Sequence, residues 1–128
     1  MTKLLLDTHT FLWAVAGQGL SAAATTAFLD TGNRLYFSAA SYWEICIKLS
    51  LGKLTLAPDW RQQFEQEMKI NQIQWQPITP EHCWQLTQLP FLHRDPFDRL
   101  LIAQAQVEGM TVLTGDSQIH HYSVATLW

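Results

Sequence analysis

Apolar and polar positions alternate between two rhythms along the chain. Leu4-Leu5-Leu6 is a short unbroken apolar run ending at Asp7, the signature of a strand buried on both faces. Thr8 to Ala16 follows with helical spacing, carrying Phe11, Leu12 and Trp13, and stops near Gly17. Ser21 is a suitable cap for a second helix from Ala22 to Thr31, closed by Gly32. Arg34 to Ser38 reads as a strand, and a helix from about Ser41 carries Trp43, Ile45, Ile47 and Leu51 up to Gly52. Lys53 to Pro58 connects to a more polar helix, capped by Asp59 and running from Trp60 to about Ile70. Gln74 to Ile78 predicts a short strand, and Thr79-Pro80-Glu81-His82 a helix start running to about Leu89.

After a loop at Pro90 to His93, Asp95 and Pro96 start a helix in which Phe97, Leu100, Leu101, Ile102, Ala103, Ala105 and Val107 leave little polar surface. It should be mostly buried. A strand at Thr111 to Thr114, a turn at Gly115-Asp116 and a last strand near Val124 to Leu127 complete the chain. Strands alternating with helices predict an α/β fold, a three-layer sandwich around a mainly parallel sheet. The 128 residues suit one domain, 1–128.

Composition narrows the function. With 48% hydrophobic and 15% charged residues the chain is globular rather than disordered. A formal net charge of −3 argues against gripping nucleic acid by bulk positive charge, but leaves room for a nuclease whose acids surround a cation. Asp7 interrupts the only apolar run at the N-terminus, so no secretory leader is expected, and no run approaches the roughly 18 apolar residues of a membrane span. A cytoplasmic protein with two free, packed thiols, Cys46 and Cys83, is the expectation.

The acids carry the chemistry. Sites in parallel sheets form at the carboxyl ends of strands. Asp7 follows the first strand, Glu44 lies early in the helix after the second, and Asp116 follows the Thr111 strand. Asp98 opens the helix feeding that strand, with Leu101, Ile102 and Ala105 on its face, so it should point inward and need a partner. Four carboxylates on one edge repel each other, and a hard divalent cation resolves the repulsion. Each acid also has a structural alternative. Asp7, Asp95 and Asp116 can cap, Asp98 can bond back to the Asp95 amide, and Glu44 can form a capping box with Ser41 and a helical pair with Lys48.

Around them, Thr8, Ser38, Ser41 and Thr114 either bond the carboxylates or cap, and Lys48, Arg94 and Arg99 either meet phosphate or lie solvated. The five histidines form no HExxH motif, and no cysteine pair has zinc-ligand spacing. His9 beside Asp7 is a packed or exposed side chain, or a support for the site. Trp13, Trp43 and Trp60 belong to core or interface.

In order along the chain, Leu5-Leu6-Asp7-Thr8-His9, Ser38-Ala39-Ala40-Ser41-Tyr42-Trp43-Glu44-Ile45, Leu51-Gly52-Lys53-Leu54, Ile78-Thr79-Pro80-Glu81-His82, His93 through Ala103 and Leu113-Thr114-Gly115-Asp116 resemble PIN-domain ribonucleases, specifically VapC-like toxins of toxin–antitoxin pairs. The resemblance implies an α/β/α sandwich and Mg²⁺ or Mn²⁺ held by Asp7, Glu44, Asp98 and Asp116, with Asp95 able to share or replace the third role. It also implies RNA cleavage, a homodimer and silencing by an antitoxin. Two alternatives remain: a non-catalytic RNA- or protein-binding module, and a phosphatase with Asp7 as nucleophile, for which His9 stands where a second Asp is usual.

Overall fold

A computed structural model describes residues 1–128. Its five strands are β1 (Lys3–Leu6), β2 (Arg34–Ser38), β3 (Gln74–Gln76), β4 (Thr111–Leu113) and β5 (Thr126–Leu127). They form one sheet in the order β3-β2-β1-β4-β5, and every pairing is parallel. The helices are α1 (Thr8–Ala16), α2 (Ala22–Leu29), α3 (Ala39–Ser50), α4 (Trp60–Ile70), α5 (Pro80–Thr87) and α6 (Pro96–Glu108), with a short 3₁₀ turn at Ile119–His121.

The central strands are buried on both faces because side chains alternate between them. Leu4, Leu6, Leu35, Phe37 and Leu113 share one core with Phe11, Phe28, Ile45 and Phe64, which come from α1 to α4. Leu5, Tyr36 and Val112 share the other with Leu101, Ile102 and Ala105 of α6. Three layers result. Phe37 is fully buried and stacks on Phe11 with ring centroids 3.9 Å apart. Phe37→Ala is expected to cost about 3–5 kcal/mol, read from the urea midpoint.

Local chemistry sets the helix ends. Gly17 and Gly109 stop α1 and α6 in the left-handed conformation. Thr79 and His82 form a reciprocal capping box that starts α5. Two expected boundaries move, and one expected cap bond does not form. Helix α2 ends at Leu29, two residues short of Thr31, because Asp30 folds into a turn whose carboxylate accepts the Gly32 N–H at 2.9 Å. Helix α3 starts at Ala39, since Ser38 rather than Ser41 is its N-cap and accepts the Ala40 N–H. At α4, Asp59 holds the N-cap position without a side-chain cap bond, and binds the Gln63 amide instead.

Both cysteines are free, but only Cys46 is partly packed, since Cys83 is exposed. No helix is long and apolar enough to cross a membrane.

Candidate metal centre

An all-parallel sheet puts its carboxyl ends on one edge, and the strand order reverses direction between β1 and β4. That crevice is where such sheets bind ligands. Asp7 follows β1 and Asp116 follows β4, so the two acids flank it. Helix α6 begins at the same edge because it must run back to start β4, which brings Asp98 there.

Asp7 is 5% exposed and already engaged. One carboxylate oxygen caps α1 by accepting the Thr10 N–H at 2.7 Å. The other accepts a short hydrogen bond from the Thr114 hydroxyl, which in turn accepts the Asp116 N–H at 3.0 Å. Thr114 thus ties the first acid to the last across the switch point. Gly115 leaves room between them for the terminal indole: a Cβ there would meet Trp128 Cε2 at 2.9 Å and displace that ring. Asp116 accepts the Gln118 N–H at 2.9 Å through one oxygen, so it also serves its own turn.

Asp98 caps nothing. The capping role belongs to Asp95, whose Oδ1 accepts the Phe97 and Asp98 N–H groups. The expected bond from Asp98 back to the Asp95 amide is absent. Asp98 Oδ2 instead lies 2.8 Å from His93 Nε2, which is 4.0 Å from Asp116 Oδ2. His93, Asp98 and Asp116 offer ligand atoms within 4.8 Å of one another. Burial chiefly, and then the nearby Asp95 and Glu44 charges, push the Asp98 carboxyl up to about 6 against the opposing His93 bond.

Glu44 lies one turn deeper in α3 than expected, and no capping box with Ser41 forms. Its two oxygens meet the Thr8 hydroxyl at 2.7 Å and Lys48 Nζ at 3.0 Å. Lys48 is therefore an ion-pair partner here rather than a free phosphate contact. Arg99 departs further from expectation. It is buried, and its guanidinium donates to the Pro90 and Leu86 carbonyls and the Tyr122 hydroxyl while stacking over Phe91. Those bonds turn it toward the loop that starts at Pro90 and away from solvent.

Ser38 binds Gln104 in the core. Ser41 Oγ is fully buried without a hydrogen-bond partner in the protein, one helical turn before Glu44. His9 is exposed beside Trp13, and the two line a small cleft with Asp7, Gly115 and Asp116. A second groove, about 510 Å³, runs past Glu44, Lys48, Lys53, His93, Arg94 and Phe97. Trp43 packs edge-on against Phe97 and is 57% exposed.

The residue that sequence reasoning passed over is His93. Its only signal was its place two residues before the Asp95 cap, and histidines in loops are common.

The PIN domain family model matches residues 4–125. The Mycobacterium tuberculosis (strain ATCC 25618 / H37Rv) protein Ribonuclease VapC22 is 29% identical, with all of both chains covered. VapBC2 from Rickettsia felis, solved bound to a DNA fragment from its promoter, superposes with a TM-score of 0.73 at 14% identity over 98% of each chain. FitAcB from Neisseria gonorrhoeae gives 0.63 at 17% identity, covering 98% of this chain and 96% of that one. At such identities the two structures speak to the fold.

Proposed function

The chain belongs to the PIN-domain family, and on that premise we propose that it is a divalent-metal-dependent endoribonuclease, the toxin of a toxin–antitoxin pair. The observation that carries the reading is Asp98. A half-buried carboxylate that caps no helix, and whose charge is disfavoured chiefly by burial and then by Asp95, is hard to explain as a structural device. Residue chemistry fits a hard ion. The donors are mainly carboxylate oxygens, which suit Mg²⁺ and Mn²⁺.

In this reading Asp7, Asp98 and Asp116 hold the ion, and Glu44 orients the attacking water. The ion supplies Lewis-acid stabilisation of the phosphate oxygens and lowers the pKa of that water. Thr8 and Thr114 fix the carboxylates by donating to Glu44 and Asp7. Water adds to phosphorus as its proton is lost, the bond to the leaving ribose oxygen breaks, and that oxygen takes up a proton, leaving a phosphate end and a hydroxyl end. Lys53 and Arg94, exposed along the 510 Å³ groove, meet flanking phosphates of the strand, and Lys48 does so when released from Glu44. The likeness to VapBC2 from Rickettsia felis supports an antitoxin as partner. The exposed Trp43, Leu51 and Trp84 offer apolar surface for that partner or for a second copy.

Asp7→Asn keeps the helix cap and removes the charge. RNA cleavage in Mg²⁺ or Mn²⁺ should fall by at least about 10²-fold with the circular dichroism spectrum unchanged; cleavage at the wild-type rate would sink the reading. Ion binding itself is expected to raise the melting temperature, with a stabilisation of about 2.7 kcal/mol at an ion concentration 100 times Kd. A binding module whose acids only cap would show no such rise. The phosphatase alternative fares worse, since His9 stands where that chemistry usually places its second acid.

A further inference from the structure

We propose that His93 is the positioning residue of the ion site: it fixes Asp98 so that one carboxylate oxygen is held and the other is free for the ion. This rests on the reading that the acids bind a divalent cation. Three observations carry it. His93 Nε2 lies 2.8 Å from Asp98 Oδ2 and only 4.0 Å from Asp116 Oδ2, so the ring stands between two acids that come from different elements.

On its far side, Nδ1 lies 3.5 Å from the Asp95 N–H. A backbone donor there favours the tautomer with the proton on Nε2, which is the one that donates to Asp98. Finally, the loop that carries the ring is anchored from behind. The Tyr122 hydroxyl accepts the Leu92 N–H at 3.0 Å and the His93 N–H at 2.8 Å. Arg99 donates to that same hydroxyl and to the Pro90 carbonyl. A buried guanidinium and a buried tyrosine thus set the position of one histidine, which sets one carboxylate.

An outer partner of this kind orients a ligand and typically changes metal affinity by 10–100-fold. Without it, Asp98 is free to rotate and to turn both oxygens away from the crevice.

The test is Mn²⁺ binding, followed by the electron paramagnetic resonance signal of the free aqua ion, with nitrogen couplings read from the spin echo of the bound ion. His93→Leu removes the donor and should weaken Mn²⁺ by at least about tenfold. His93→Gln keeps an N–H donor and should recover most of that loss. Tyr122→Phe releases the loop and should weaken binding in the same direction by a smaller factor. Bound Mn²⁺ in the wild type should show no directly coordinated nitrogen.

Wild-type affinity in His93→Leu overturns the inference. So does a nitrogen directly on the ion, which would make His93 a ligand, or a His93→Gln variant as weak as His93→Leu. A wild-type protein that binds no Mn²⁺ at all instead removes the ion reading itself, and the two failures are thereby told apart.

Discussion

Asp98→Asn is expected to cut RNA cleavage sharply and at the same time to make the ion-free protein more stable at neutral pH. The first half follows from removing a charge that the ion needs, with an expected loss of at least about 10²-fold. The second follows from burial. In the unfolded chain this carboxyl ionises near 3.8, but in the folded protein only near 6. Below about pH 3.8 it is neutral in both states and costs nothing. As pH rises to about 6 the unfolded state ionises first, so folding loses stability over that window and stays lower above it.

The full shift corresponds to about 3 kcal/mol at 1.36 kcal/mol per unit, and the lost His93 bond offsets part of it. Asn, neutral at every pH, should therefore gain about 1–3 kcal/mol at pH 7 and nothing near pH 3.5. Urea unfolding at the two pH values checks it. A loss of stability at pH 7 would mean that Asp98 is a structural cap after all. The same proton competes with the ion, so Mg²⁺ and Mn²⁺ affinity should fall as pH drops below about 6.

Arg99→Ala has a large expected effect on folding. The side chain is buried and serves two carbonyls and the Tyr122 hydroxyl. Removing it leaves those acceptors short of a donor and takes the cation from the Phe91 ring, 4.5 Å away. Breaking buried charged hydrogen bonds costs about 3–5 kcal/mol, or a fall in melting temperature of roughly 10 °C or more for a domain of this size. Lys at this position has no planar fork to serve three acceptors and should recover little. If Arg99 were a phosphate contact, Arg99→Ala would leave the melting temperature unchanged and raise only the KM for RNA. The calorimetric scan separates the two outcomes.

Much of the architecture was legible in the chain because it depends on local pattern. The apolar run at Leu4–Leu6, the Asp95-Pro96 helix start and the glycine stops at Gly17 and Gly109 each act within a few residues. Helix α3 shows where local reading fails. Two serines three apart are equally good caps on paper, and Ser38 prevails because β2 delivers it to the sheet edge, where its hydroxyl also finds Gln104 in the core.

The sequence by itself determined the alternation of strands and helices and the four acids that a parallel sheet gathers at one edge, since both follow from spacing and from the rule that parallel strands share a carboxyl end. Tertiary structure alone decided the division of labour among them. Asp95 became a cap while Asp98 did not, Lys48 went to Glu44, and Arg99 turned inward to hold the loop that carries His93. Those outcomes turn on which polar groups meet after burial, and a buried donor or acceptor takes whichever partner the packing brings within about 3 Å, however far away that partner lies along the chain.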